Sequence, residues 1–228
     1  FVFTYIILTF LLAYPILMAE LVIGRYAKAD TVKSMLKVSS PRTAWLGRFT
    51  GYWGMLTASL ILSFYAVIAG WMISHGLGSV AAILGQSDTW FIADSLSRSI
   101  VFGITFFVLT IAIVASGVAS GIEKWSTRLM PILILLIILL IIYIALQPGA
   151  AEGWRVYLQP DFSKVSDPSL VLDALSQAFF SLSLGVGTMM VYGSYISKSE
   201  NLPKLGVTVA AMDIGIAVLA GMLVIPAM

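Results

Sequence analysis

Apolar residues run almost unbroken through six windows, at approximately 1–24, 52–74, 99–117, 129–147, 172–195 and 207–228, and polar residues collect between them. A helix needs about 20 mostly apolar residues to cross a bilayer, so each window qualifies. The runs are continuous rather than alternating, which excludes a membrane β-barrel and predicts an all-α, polytopic transmembrane helix bundle over 1–228. Between the first two windows, Thr31–Val38 predicts a short helix on the membrane surface, with Ser40 and Pro41 as breakers. Outer loops are expected at Gly76–Ser97 and Gln147–Leu170. The second holds Pro148, Gly149, Pro160 and Pro168 with Glu152, Asp161 and Asp167, and reads as an ordered segment.

Composition adds the solvent. The 228 residues are 60% hydrophobic and 11% charged, and the mean hydropathy of +1.00 lies outside the soluble range. Net charge is +2, but its distribution is uneven. Arg25, Lys28, Lys33, Lys37, Arg42, Arg48, Lys124, Arg128, Lys198 and Lys204, ten of the thirteen basic residues, share one side; Arg98, Arg155 and Lys164 lie opposite. The positive-inside rule makes loops 25–51, 118–128 and 196–206 cytoplasmic, in a multi-pass protein of the plasma membrane. The chain starts at Phe1 and stops at Met228 inside apolar windows, so the expectation is a piece of a longer chain. With no cysteine, thiolate metal sites, disulfides and thiol catalysis are excluded. Nothing in the charge pattern points to nucleic acid.

Three features then break the apolar pattern. A carboxylate at mid-bilayer costs about 2.5–3.5 kcal/mol on insertion scales, so it faces a cavity or a partner. Glu20 lies near the inner end of the first window, where it either pairs with Arg25 as an anchor or serves a buried site. Asp213 lies deeper, in "AAMDIGIAVLAG", as a helix-contact residue or a functional acid. The third feature is "FSLSLGVG" at 180–187. Gly185 and Gly187 are two apart, too close for one small-residue packing face, and each costs about 1 kcal/mol against alanine within a helix. Two readings stand: a helix-contact cluster, or an unwound segment whose carbonyls and hydroxyls (Ser181, Ser183) replace the hydration shell of a small cation while the next half-helix start takes a carboxylate.

These strings resemble the neurotransmitter:sodium symporter family, bacterial branch, with the leucine-transporter fold. "YPILMAELVIGRY" is similar to its second helix, "LSFYAVIAGW" its third, "SGIEKWSTRLMP" its fourth-to-fifth junction, "PGAAEGWRVYLQPDFSKV" its third outer loop, "SQAFFSLSLGVGTMMVYGSY" its sixth helix and "DIGIAVLAGMLVIP" its seventh. The resemblance implies a partial transporter domain holding family helices two to seven, part of an inverted-repeat fold with an unwound helix at 172–195.

The resemblance also implies roles. Tyr65 matches the tyrosine that bonds the substrate carboxylate, Ile61 lines the side-chain pocket, and Phe180 is the aromatic lid. Ser181 donates oxygen to sodium, and Ser183 and Val186 border the substrate. Val186, where the family often has a bulkier residue, leaves room for a larger hydrophobic or aromatic amino acid. Asp213 stands where the family has a sodium-ligating asparagine beside its halide site. Tyr5, Gln177 and Ser181 match other halide-site residues, and Ala217 replaces a serine. A fixed carboxylate there implies transport without chloride. Gly185 and Gly187 are the hinge of the break. Gly121 and Pro131 match a glycine and proline at the start of the fifth helix, read either as a site of local unwinding or as a plain helix-start proline. Glu20 matches a buried acid that bonds unwound backbone.

The function implied is sodium-coupled import of an amino acid by alternating access, with Na+ as the only cofactor and the rest of the chain required. An intramembrane hydrolase is disfavoured: the only histidine, His75, lies at an outer helix end, and no base is spaced to serve Ser181 or Ser183. The protein is therefore not an enzyme on this reading. The alternative is a non-transporting, transporter-like scaffold or regulator.

Overall fold

A computed structural model describes residues 1–87, 89–92, 95–159 and 167–228. The outer-loop positions Pro160, Asp161 and Lys164 lie outside the described residues. Among the described residues, regular structure is entirely helical. In chain order it comprises α1 (Val2–Leu8), a π-helical turn (Thr9–Ala13), α2 (Tyr14–Ala27), α3 (Thr31–Val38), α4 (Ala44–Ile83), α5 (Thr89–Ile92) and α6 (Leu96–Ala115). A second π-helical turn (Val118–Glu123) leads into α7 (Lys124–Ala145), followed by α8 (Ala150–Leu158), α9 (Pro168–Ser181), α10 (Thr188–Tyr195) and α11 (Leu202–Ala227).

Among the described residues, five helical stretches are long and apolar enough to cross a membrane: Val2–Ala27, Ala44–Ile83, Leu96–Ala115, Ser120–Ala145 and Leu202–Ala227. The window at 172–195 is not one helix. It is divided between α9 and α10, as the unwound reading expects and the helix-contact reading does not. The outer loop expected from Gly76 is corrected: α4 continues to Ile83, because "GLGSVAAI" carries no proline and enough helix formers to tolerate its two glycines.

The chain divides into two compact units, Phe1–Thr57 with Leu133–Met228, and Ala58–Ile132. In the first, the core gathers Tyr5, Ala13, Leu17, Leu21, Ala174, Ala178, Leu182, Leu184, Leu202 and Ile214, drawn from α1, the first π-helical turn, α2, α9, the break and α11. Helix α10 lies against α2 at backbone distance: a Cβ at Gly24 would strike the Met190 carbonyl, and one at Gly193 would strike Leu21. Small residues at such a contact let two helices approach where lipid offers no hydrophobic drive. Helix α8 docks on α11 through Trp154, whose indole N–H donates to the Met222 carbonyl at 2.9 Å, and Tyr157, whose hydroxyl reaches the Val218 carbonyl at 3.3 Å. Burial raises the pKa of the Tyr157 phenol.

In the second unit, Arg98 on α6 donates to the Phe91 carbonyl at 2.7 Å, and Ser74 on α4 donates to the same oxygen at 2.6 Å. Helix α5 is thereby fixed to two helices. Gly121 falls in the second π-helical turn, where a Cβ would strike the Ile113 carbonyl. Pro131 lies inside α7, which continues through it, so the helix-start reading of this proline does not hold.

Candidate functional site

The break forms because both of its ends are capped in ways that stop a helix. At the end of α9 the chain closes a Schellman motif: the Leu184 N–H donates to the Phe179 carbonyl at 2.9 Å and the Ser183 N–H to the Phe180 carbonyl at 3.1 Å. The left-handed residue of the motif is Ser183, at φ 53°, a position usually given to glycine. An L-residue there costs about 1–2 kcal/mol. Gly185 and Gly187, at φ 81° and 80°, carry the next two reversals, and Gly187 is the N-cap of α10. Leu182 and Leu184, 2% and 6% exposed, anchor the segment in the core, while Ser183 and Val186 are half-buried between them and α10. The backbone thus leaves helical bonding over 182–187 without losing its fixed position.

Two carboxylates meet this segment. The Ser181 hydroxyl donates to Asp213 Oδ1 at 2.6 Å, and the Tyr5 hydroxyl donates to Asp213 Oδ2 at 3.2 Å. Tyr5 is set in turn by the π-helical turn that follows it. Pro15 has no N–H and its ring crowds the carbonyl four residues back, so the ladder shifts register and the Tyr14 N–H reaches the Thr9 carbonyl, five residues earlier. The fully buried Thr9 hydroxyl donates to the Tyr5 carbonyl at 2.7 Å. Gln177, one turn before Ser181 on α9, lines a cavity of about 340 Å³ with Tyr5, Ala217 and the C-terminal part of α11. Tyr5, Ser181 and Asp213 are therefore bonded together with Gln177 nearby. Both hydroxyl oxygens point their protons at the acid and keep lone pairs for a cation.

Glu20 is the second carboxylate. It is 7% exposed, and its Oε1 accepts the Gly185 N–H at 2.7 Å. Among the described residues no donor satisfies its buried Oε2. An anchor pairing with Arg25 is not what the geometry shows: Arg25 donates to the Glu200 carbonyl at 2.9 Å.

The remaining candidates fall in three places. Phe180 borders a cleft of about 470 Å³ with Phe1, Asp173, Ser176 and Gln177. The Val186 carbonyl lies against Gly54 on α4, where a Cβ would crowd it. Ile61 and Tyr65 stand one turn apart on α4, in the unit Ala58–Ile132, which also holds Gly121 in the second π-helical turn and Pro131 in α7. Three contacts to the site had no sequence signal: Thr9, Lys28 and Thr31, whose bonds run to backbone carbonyls. Any hydroxyl or ammonium can make such bonds, so residue type alone does not reveal them.

The five long apolar helices beside an apolar segment interrupted at 182–187, with the buried Glu20 bonded to the interruption and the half-buried Asp213 bonded to Ser181 at its edge, define a polytopic membrane protein built around a discontinuous helix. The chain belongs to the sodium:neurotransmitter symporter family, whose model matches residues 94–228. It is 36% identical over its whole length to 51% of an uncharacterised sodium-dependent transporter, YhdH, of Bacillus subtilis. It is 32% identical, again over its whole length, to 53% of an uncharacterised sodium-dependent transporter of Haemophilus influenzae. Over 35% of the chain it is 38% identical to 12% of the human sodium- and chloride-dependent creatine transporter 1. These relatives are transporters, not enzymes. The chain spans about half the length of the bacterial relatives it matches.

Proposed function

We propose that the polypeptide containing these residues is a sodium-coupled symporter that imports an amino acid by alternating access across the plasma membrane. The observation that carries this reading is the break itself: a capped interruption of a spanning helix whose Ser181 hydroxyl bonds Asp213 and whose Gly185 N–H bonds Glu20. The sodium-dependent relatives support the coupling ion.

Sodium is a co-substrate in this scheme. Ser181 and Asp213 supply oxygen to it, and break carbonyls, Ser183 and Val186 surround the organic substrate below the Phe180 ring. Tyr65 takes the substrate carboxylate and Ile61 faces its side chain. Sodium and substrate bind at adjacent places with opposite charge, so each raises the other's affinity by the same factor. The fixed negative charge of Asp213, held between the Tyr5 and Ser181 hydroxyls beside Gln177, takes the place of a bound chloride, so transport proceeds without it. Gly185, Gly187, Glu20, Gly121 and Pro131 serve the conformational change. The loops 25–51, 118–128 and 196–206 face the cytoplasm.

The test is uptake of labelled amino acids by proteoliposomes holding the complete polypeptide, with an inward gradient of sodium or of potassium. Concentrative uptake under sodium alone supports the symporter; uptake indifferent to the cation, or none, sinks it and favours a non-transporting regulator.

A further inference from the structure

The inner half-helix is held at both ends by the short segment joining α2 to α3. The Thr31 hydroxyl donates to the Gly187 carbonyl at 3.1 Å, and Thr31 is 5% exposed. That carbonyl also accepts the first helical bond of α10, from the Val191 N–H at 3.2 Å. Gly187 cannot carry a side chain, because a Cβ there would overlap Thr31. At the opposite end of α10, Lys28 Nζ donates to the Ile196 carbonyl at 2.7 Å. Lys28 ends α2 in the left-handed region at φ 53°, which turns the chain toward α3. Asp30 then caps α3 by accepting the Lys33 N–H at 2.9 Å, which fixes Thr31 as its first residue.

The break therefore has three tethers from three elements: Ser181 to Asp213 on α11, the Gly185 N–H to Glu20 on α2, and the Gly187 carbonyl to Thr31 on α3. The first two involve residues already placed in the site. The third comes from a residue that touches neither proposed ligand.

We infer that Thr31 is a positioning residue of the sodium and substrate site: its hydroxyl holds the Gly187 carbonyl and so keeps the inner edge of the break in its binding-competent form. This rests on the symporter reading above. A ligand's apparent affinity falls by the fraction of molecules whose site is competent. Where sodium selects a form that is the minority without it, losing a buried hydrogen bond to a neutral carbonyl lowers that fraction by about fivefold. Because the effect acts on population, it weakens sodium and substrate binding alike and leaves the order of preference among substrates unchanged.

The experiment uses the full polypeptide in lipid nanodiscs, with Thr31→Val, Thr31→Ala and Thr31→Ser, and follows amide hydrogen exchange while sodium is titrated against choline. At saturating sodium, Thr31→Val and Thr31→Ala are expected to exchange the amides of 188–191 about fivefold faster than wild type and to need about fivefold more sodium for half-maximal protection. Thr31→Ser, which keeps the hydroxyl, is expected to match wild type in both. Wild-type exchange at 188–191 in Thr31→Val would overturn the tether. Faster exchange with an unchanged sodium midpoint would reduce Thr31 to a structural contact and also overturn the inference. Should both variants fail to purify folded, wild type alone decides. The amides of 30–32 and 188–191 must then gain protection at one sodium midpoint, and unresponsive 30–32 amides overturn it. A wild type that shows no sodium response anywhere defeats the symporter reading itself, a result distinct from failure of the tether.

Discussion

At the residue scale, Asp213 is the position on which the proposed ion chemistry turns. Its two oxygens accept the Ser181 and Tyr5 hydroxyl protons, and in the proposed function its carboxylate supplies the negative charge that a bound halide would otherwise bring. Asp213→Ser removes that charge and leaves room beside Tyr5, Ser181 and Gln177. Uptake by this variant is expected to fall in gluconate and recover in chloride, whereas wild-type uptake is indifferent to the exchange. Chloride-insensitive uptake in Asp213→Ser would show that the acid has no such role. Gly187→Ala is expected to be more damaging than its size suggests. It places a Cβ at φ 80°, against Thr31, and combines about 1–2 kcal/mol of backbone strain with a steric overlap. A thermal melt of the purified variant should shift down by several degrees, and an unshifted melt would mean that the break is more pliable than its tethers suggest.

At the element scale, α2 and α10 form a pair whose separation is set by two glycines. Gly193→Val inserts a side chain where only backbone fits against Leu21, and overpacking of this kind costs about 1–3 kcal/mol. Lower folded yield in size-exclusion chromatography is the expected outcome, with α8–α11 packing unaffected. Helix α3 carries a separate, pH-dependent contribution. The Lys33 N–H, and then its ammonium group 3.2 Å away, hold the Asp30 carboxyl below the usual carboxylate range. The folded pKa is depressed, so the stabilisation is present above the unfolded value of about 3.9 and is lost as pH falls through the folded one. Asp30→Asn keeps the cap but not the titration, and its acid unfolding limb is expected to be shallower than that of wild type.

Element-scale features were read from the sequence with uneven success, for physical reasons. Apolar runs report burial in lipid directly, and Thr31–Val38 was legible because its polar caps and flanking breakers are local. The interruption at 182–187 was legible because serine and glycine are costly inside a lipid-exposed helix. The Schellman end was not: its left-handed position holds Ser183, and glycine is the usual signal. The π-helical turn before Pro15 was missed because one proline is compatible with a kink, a bulge or a helix start, and only packing selects among them.

At the scale of the whole molecule, family membership followed from strings spread along the chain, each of which pairs an apolar helix pattern with a few fixed polar positions. The site was legible where a residue's type is costly in its environment, as with Glu20, Ser181 and Asp213. It was illegible where an ordinary residue acts through distance alone, as with Lys28 and Thr31, whose partners are backbone atoms 168 and 156 positions away. Side-chain-to-carbonyl bonds across such separations leave no pattern in a single chain.

The central claim is that the tethered break couples sodium to an organic substrate. It is tested most directly by measuring ²²Na⁺ and a labelled amino acid together in proteoliposomes containing the complete polypeptide, under an imposed sodium gradient and again after a sodium ionophore collapses it. The account predicts that the two fluxes rise together in a fixed ratio, that both fall with Asp213→Ala, and that accumulation of the amino acid ends when the gradient is lost. Amino-acid accumulation that persists after the gradient collapses, or sodium flux that ignores the amino acid, would contradict it.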